Sequence, residues 1–213
     1  MTPLTPDTSY HIFNHANGFE NIFRTEGNFK YFLEKYRLYI FPIAETYAYC
    51  LMPNHFHLVI RIRKREVIEM LILNNNCNNF SKVSNFGKVV SDKEIEKYLS
   101  KQFANLFSSY TQSFNKVYHR KGSLFVKNFK REQLSDKTHF LNAIVYTHRN
   151  PIHHGFCDAY DSWEFSSYDD IVHRNGDLTV IEKLLKITEG IENFKMLHQH
   201  SLDRFRTTNY LET

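Results

Sequence analysis

The sequence predicts an α+β fold in which an antiparallel sheet is backed by helices. Three observations carry that prediction. Hydrophobic periods of two and about 3.6 residues follow one another in the order β-α-β-β-α-α-β-α. Two strand-like runs, 44–52 and 55–63, flank the Pro53-Asn54 turn signal and make a hairpin. The long helical stripe at 94–118 falls between that hairpin and the next strand, which suits a ferredoxin-like or RRM-like layout rather than a doubly wound one. A length of 213 residues with 42% hydrophobic content suits one globular unit. Residues 1–171 are read as the main domain. Residues 172–213 are read as a helical extension that is part of it or packed on it.

Taken in order, residues 9–14 have strand character. Residues 26–38 form a helix whose buried stripe is Phe29, Phe32, Leu33 and Tyr36, ended by Pro42. The second strand of the hairpin is the clearest in the chain. Phe56, Leu58, Ile60 and Ile62 point to one face, and His55, His57, Val59 and Arg61 to the other. Residues 64–92 are polar and poorly periodic and contain the asparagine-rich run 74–79; they read as a helix around 66–73 and then a loop. The 94–118 helix buries Phe103, Leu106, Phe107, Tyr110, Phe114 and Val117 and is broken by Gly122. Residues 124–133 read as a strand. Ser135 or Asp136 caps a helix over 137–149, which Pro151 stops near Asn150. Residues 156–168 are irregular, and a short helical pair covers 179–197.

Twenty-seven basic against 23 acidic residues leave a formal net charge of +4. That mild excess is compatible with a nucleic-acid partner without demanding one. Aromatic content is 15%, enough to supply base-stacking surfaces as well as core. The three cysteines, Cys50, Cys77 and Cys157, are far apart and lack a C-x-x-C arrangement, which speaks against a disulfide framework or zinc ribbon and for a reducing cytoplasm. No signal peptide and no membrane span are read.

Two constellations carry chemistry. His55 and His57 are two apart on a strand and share a face, while Phe56 anchors the strand from behind. Two neutral imidazoles make half of a divalent-metal site. Spacing alone leaves open the plainer reading of two histidines on a half-exposed strand. Tyr146 and Asn150 are i and i+4 on one helix. The buried stripe there is Phe140, Leu141, Ile144, Val145 and His148, so Tyr146 lies at its edge, where a core-rim tyrosine would also sit. Asn150 offers a side-chain oxygen as a third ligand, and a hard ligand favours magnesium or manganese. A third element, His119 to Arg131, interleaves cations with aromatics as a phosphate- and base-binding strip would, or as an ordinary solvated strand edge would.

The wording and order of these stretches are more specific than any one of them. Residues 47–62 (YAYCLMPNHFHLVIRI), 119–134 (HRKGSLFVKNFKREQL) and 146–156 (YTHRNPIHHGF) resemble the single-tyrosine transposase superfamily, in particular the branch associated with repetitive extragenic palindromes. The beginning at 10–36 and the segment 161–171 (DSWEFSSYDDI) are similar as well. Regions 64–100 and beyond 172 match weakly or not at all. The resemblance implies a ferredoxin-like domain with a His-hydrophobic-His motif, His55-Phe56-His57, on a central strand. Its nucleophilic tyrosine maps onto Tyr146, in a Y-x-x-x-N-P context, and its polar ligand onto Asn150. His154 stands where relatives often carry a small residue.

The resemblance implies a metal-dependent nickase and strand transferase acting on single-stranded DNA through a 5′-phosphotyrosine. Mg2+ or Mn2+ would be held by His55, His57 and Asn150. The DNA partner would be single-stranded and hairpin- or palindrome-associated, contacted by Arg61, Arg63, Arg120, Lys121, Lys127, Lys130, Arg131 and Arg149. The place of work is the cytoplasm, nucleoid-associated when DNA is bound. Relatives include both monomers and dimers with shared sites, so a homodimer is compatible. Two other classes fit parts of the chain. One is a non-catalytic nucleic-acid binder, including a domesticated relative. The other is a zinc hydrolase drawing a further ligand from His148, His153 or His154.

Overall fold

The computed structural model describes residues 2–77 and 89–211. Four strands form one antiparallel sheet: β1 (Ser9–His15), β2 (Ala44–Met52), β3 (His55–Ile62) and β4 (Lys130–Gln133). Their order is β2-β3-β1-β4, so the sequentially first and third strands lie at the centre, as the ferredoxin-like reading expects. β1 pairs with β3 with Ser9 opposite Arg61 and His15 opposite His55. That register puts His11, Phe13 and His15 on the same face as His55 and His57.

The alternation read along β3 holds in three dimensions. Phe56, Leu58, Ile60 and Ile62 enter one core with Tyr10 and Ile12 of β1. α1 (Glu26–Tyr39), α2 (Arg65–Cys77) and α3 (Asp92–Val117) cover that face, and Phe32, Tyr36, Phe103 and Tyr110 are fully sequestered there. Val59 enters a second core on the opposite face, with Tyr47 and Ala48 of β2. This face is covered by α4 (Lys137–His153), α5 (Ser167–His173), α6 (Ile181–Thr188) and α7 (Ile191–Leu211). Among the described residues, no helix is long and apolar enough to cross a membrane.

Helix starts follow the capping chemistry. Ser91 accepts from the Glu94 amide while the Glu94 carboxylate accepts from the Ser91 amide, closing a capping box at α3. Asp136 accepts from the His139 amide and starts α4. The exposed edge of β2 is partly closed by the chain before α5. The Trp163 indole donates to the Leu51 carbonyl, the Leu51 amide donates to Phe165, and the Phe165 ring stacks on Phe29 at 3.9 Å.

Several boundaries differ from the sequence reading. The strand expected over 124–133 is reduced to Lys130–Gln133, because Asn128 takes a left-handed φ of 63° and interrupts the ladder. Only an isolated bridge, Ala16 to Phe125, marks its first half. α4 does not stop before Pro151 but runs through it to His153. The missing proline amide costs one helical bond near the C-terminus. The last turn is closed by the amides of His154 and Phe156 donating to Asn150 and Pro151 carbonyls. The short helix expected at 66–73 reaches Cys77, so Asn74–Cys77, expected as the start of a loop, are helical, and residues 78–88 lie outside the described residues. The expected helical pair at 179–197 is α6 and α7, split at Gly190, and α7 is longer than expected.

Phe56 joins the two histidines of the motif to the larger core and has no exposed surface. Phe56→Ala should lower unfolding free energy by about 3–5 kcal/mol, read from urea denaturation. A drop below about 1 kcal/mol would mean that the strand is held by something other than this anchor.

Candidate active site

β3 and α4 supply the two halves of one cleft. His55 and His57 project from β3 with ring centroids 5.4 Å apart and ring planes at 85°. Tyr146, on α4, places its ring 5.4 Å from that of His57, edge to face, and is 42% exposed. Phe13, Asn14 and His154 complete the walls around a space of about 330 Å³. The cleft therefore gathers the two imidazoles, the tyrosine and Asn150 that the sequence singles out separately.

Asn150 lies one helical turn beyond Tyr146. Its Nδ2 donates to the Tyr146 carbonyl at 2.7 Å, which fixes the amide plane. Its Oδ1 is buried and meets no hydrogen-bond partner. A buried acceptor without a partner costs about 1–3 kcal/mol and calls for an explanation.

The two imidazoles of the cleft are neutral. Burial pushes His57 down to about 2, with the nearby His11 and His55 adding to the effect. Burial likewise lowers His55 to about 4, aided by His154 and His15, while the adjacent Asn150 amide works in the opposite direction. A neutral imidazole keeps a lone pair for a metal at physiological pH. At His55 the Nδ1 sits 2.6 Å from Asn54 Oδ1, which can only accept, so the proton is on Nδ1 and Nε2 is bare. Two imidazole nitrogens and one amide oxygen form a mixed nitrogen–oxygen donor set of the kind that holds a divalent cation. Among the described residues, no three His, Cys, Asp or Glu side chains converge on a common point.

α4 is held against the sheet by a buried chain of hydrogen bonds on the far side of Tyr146. The His198 Nδ1 donates to the Phe194 carbonyl, leaving its Nε2 to accept from His148 Nδ1 at 2.9 Å. His148 Nε2 then accepts from Ser167 Oγ at 2.8 Å, and Ser167 accepts from the Tyr49 amide. The order of donors is forced from one end to the other. His148, a candidate ligand from the sequence, is thus 1% exposed and engaged away from the cleft.

The predicted DNA-contacting residues divide by location. Lys127 and Arg131 line a groove of about 750 Å³ between α3 and the 122–131 segment, and Asn14 lines both this groove and the cleft. Lys121 and Lys130 are exposed. Arg149 donates to Ser201 of α7 at 3.0 Å, beside a second groove that reaches Tyr146. Three others are engaged within the protein. Arg61 pairs with Asp7, Arg63 contacts Glu45 and the Phe41 carbonyl, and Arg120 contacts Glu20, Asn115 and Ser123. Sequence reasoning missed two neighbours of the site. His11 is bonded to His57, and Phe13 stacks on it at 5.4 Å. The i, i+2 alternation of His11, Phe13 and His15 is the available signal, but it acquires meaning only once β1 is paired with β3.

No family model matches the chain. Over 126 residues it is 23% identical to a protein of Haemophilus influenzae named as a putative REP-associated tyrosine transposase. That match spans 58% of this chain and 58% of the relative, so little more than half of the relative's length is represented. Among solved structures, the chain is similar to a REP-associated tyrosine transposase bound to a REP hairpin. The TM-score is 0.51 at 15% identity, covering 84% of this chain and 91% of the other. The fold is therefore the one found in REP-associated tyrosine transposases, and the resemblance read from the sequence has a counterpart in both comparisons.

The buried imidazoles make stability depend on pH. Burial holds His198 down to about 4 and His148 well below its usual value. The unfolded chain takes up these protons near pH 6.5, whereas the folded chain resists until far lower. Stability is then complete above about pH 6.5 and lost as pH falls toward 4, on the order of 3 kcal/mol for His198 alone. Urea midpoints at pH 7, 6 and 5 should fall in that order. A midpoint independent of pH over this range would mean that the pair is not buried neutral.

Proposed function

We propose that this chain is a transposase of the REP-associated tyrosine type, which cuts and rejoins single-stranded DNA at hairpin-associated sites through Tyr146. The observation that carries the reading is the accessible Tyr146 ring at the rim of a cleft floored by His55 and His57, with the unpaired Oδ1 of Asn150 one turn away. A tyrosine in a purely structural role gives no reason for that oxygen to be left without a partner.

Tyr146 Oη attacks the scissile phosphate in line. The bond from phosphorus to the 3′ oxygen breaks, the 3′ end leaves as a hydroxyl, and the 5′ phosphate is esterified to Tyr146. The phosphotyrosine conserves the bond, so a second 3′-hydroxyl reverses the step and joins a new strand without an energy cofactor. A magnesium or manganese ion held by His55, His57 and Asn150 would polarise the phosphate and stabilise its developing charge. His55 and His57 serve through their bare nitrogens, which burial keeps unprotonated. Asn150 orients its oxygen through the bond its amide makes to the helix. Positioning and charge stabilisation supply most of the acceleration.

The DNA route follows from the grooves. A strand lying between α3 and the 122–131 segment meets Lys127 and Arg131 and reaches the cleft at Asn14. Arg149 borders a second groove that reaches Tyr146. The place of work is the cytoplasm.

Labelled single-stranded DNA carrying a hairpin beside a short unpaired flank, incubated with Mg2+ or Mn2+ and run on a denaturing gel, tests the reading. A covalent protein–DNA band is expected. It should vanish in Tyr146→Phe, which should still bind the hairpin. An equal adduct from that variant would remove Tyr146 from the mechanism. Excess chelator should abolish cleavage, and His57→Ala should slow it by roughly tenfold to several hundredfold. Cleavage that persists in chelator would exclude the metal.

Lys127→Ala and Lys130→Ala should each weaken DNA binding. Each should also reduce the slope of log affinity against log salt by about 0.7 for every single-strand phosphate that the variant no longer neutralises. An unchanged slope would place the DNA elsewhere on the surface.

A further inference from the structure

The geometry points to His11 as a positioning residue that selects the metal-binding tautomer of His57. The inference rests on the metal reading of the cleft and concerns a residue outside the tyrosine and ligand set. His11 lies on β1, 6% exposed, and its Nε2 is 2.9 Å from His57 Nδ1. The two rings are nearly parallel, with planes at 18° and centroids 5.1 Å apart. His57 thus has one nitrogen taken by His11 and one, Nε2, left to serve the cleft.

One proton lies between these two nitrogens. Its placement has two outcomes. If His11 donates, the proton of His57 sits on Nε2 and blocks the cleft side. If His57 donates, its Nε2 lone pair is free and His11 carries its own proton on Nδ1. Metal binding needs the second arrangement. The arrangement matches the other ligand, where Asn54 Oδ1 accepts from His55 Nδ1. Each histidine of the motif then has Nδ1 occupied by an acceptor and Nε2 available. A residue present only for packing need not have a nitrogen there, since Phe13 already covers the same ring.

The test reads metal binding and tautomer, not turnover. Nitrogen-15 correlation spectra of the metal-free protein should show His57 protonated at Nδ1. Mn2+ titration followed by electron paramagnetic resonance should show His11→Phe binding roughly ten- to hundredfold more weakly than wild type. His11→Gln, whose Oε1 can accept the same bond, should stay within a few-fold. Hairpin DNA binding without metal should be equal in all three. The role is overturned if His57 is protonated at Nε2 in wild type, or if His11→Phe binds Mn2+ as wild type does. Should His11→Phe fail to fold, the wild-type spectrum alone decides. A wild type that binds no Mn2+, or that binds it no better than His57→Ala, would overturn the metal reading itself, and this inference with it.

Discussion

The pairing of β3 with β1, in one register, is the constraint on which the rest of the molecule depends. β3 must bury Phe56, Leu58, Ile60 and Ile62 against α1 and α3 while presenting His55 and His57 to the other face. Because side chains alternate every residue, a slip of one position would send the histidines into the aromatic core and the aliphatic side chains into the cleft. The core thus specifies the site. Its aromatic content makes that specification strong: Phe32, Phe56, Tyr110 and Phe125 meet ring to ring around the centre of the sheet. The same register places His11 and Phe13 beside His57, so first-strand residues become part of the site without being adjacent in sequence.

The second half of the site comes from α4, which has no covalent reason to lie where it does. Its position is set on one side by Phe140, Ala143 and Ile144 in the smaller core and on another by the chain from Tyr49 through Ser167, His148 and His198 to Phe194. Apolar packing alone tolerates sliding, whereas a directional chain in a dry interior does not. α5 and α7 therefore contribute to the cleft indirectly, by fixing the helix that carries Tyr146 and Asn150. The continuation of α4 through Pro151 serves the same end. Asn150 sits within regular helix, where its amide can reach back to the Tyr146 carbonyl.

Much of this is legible in the sequence because it is local. The two-residue period of β3, the 3.6-residue stripes of α1 and α3, the Asp136 cap and the i, i+4 relation of Tyr146 and Asn150 each need only a few neighbouring residues. Features that depend on distant partners are not legible. His11 gains its meaning from His57, 46 positions away, and Arg120 is occupied by Glu20 across a loop. The strand at 124–133 is overextended in the sequence reading because apolar and basic residues alternate there, while the interruption lies in the backbone of Asn128. Pro151 reads as a stop because its cost is large in a helix interior. Near a C-terminus, where carbonyls lack helical partners anyway, that cost is smaller.

The environment of the cleft explains why neutrality and an unpaired oxygen occur together. Low solvent access lowers the proton affinity of His55 and His57, which preserves the lone pairs that a cation needs. It also buries Asn150 Oδ1, which no protein group meets at hydrogen-bond geometry. Either feature alone has an ordinary explanation: buried histidines can be core residues, and a stray acceptor can be a local packing defect. Together beneath an accessible tyrosine, they form one constellation of lone pairs held away from solvent.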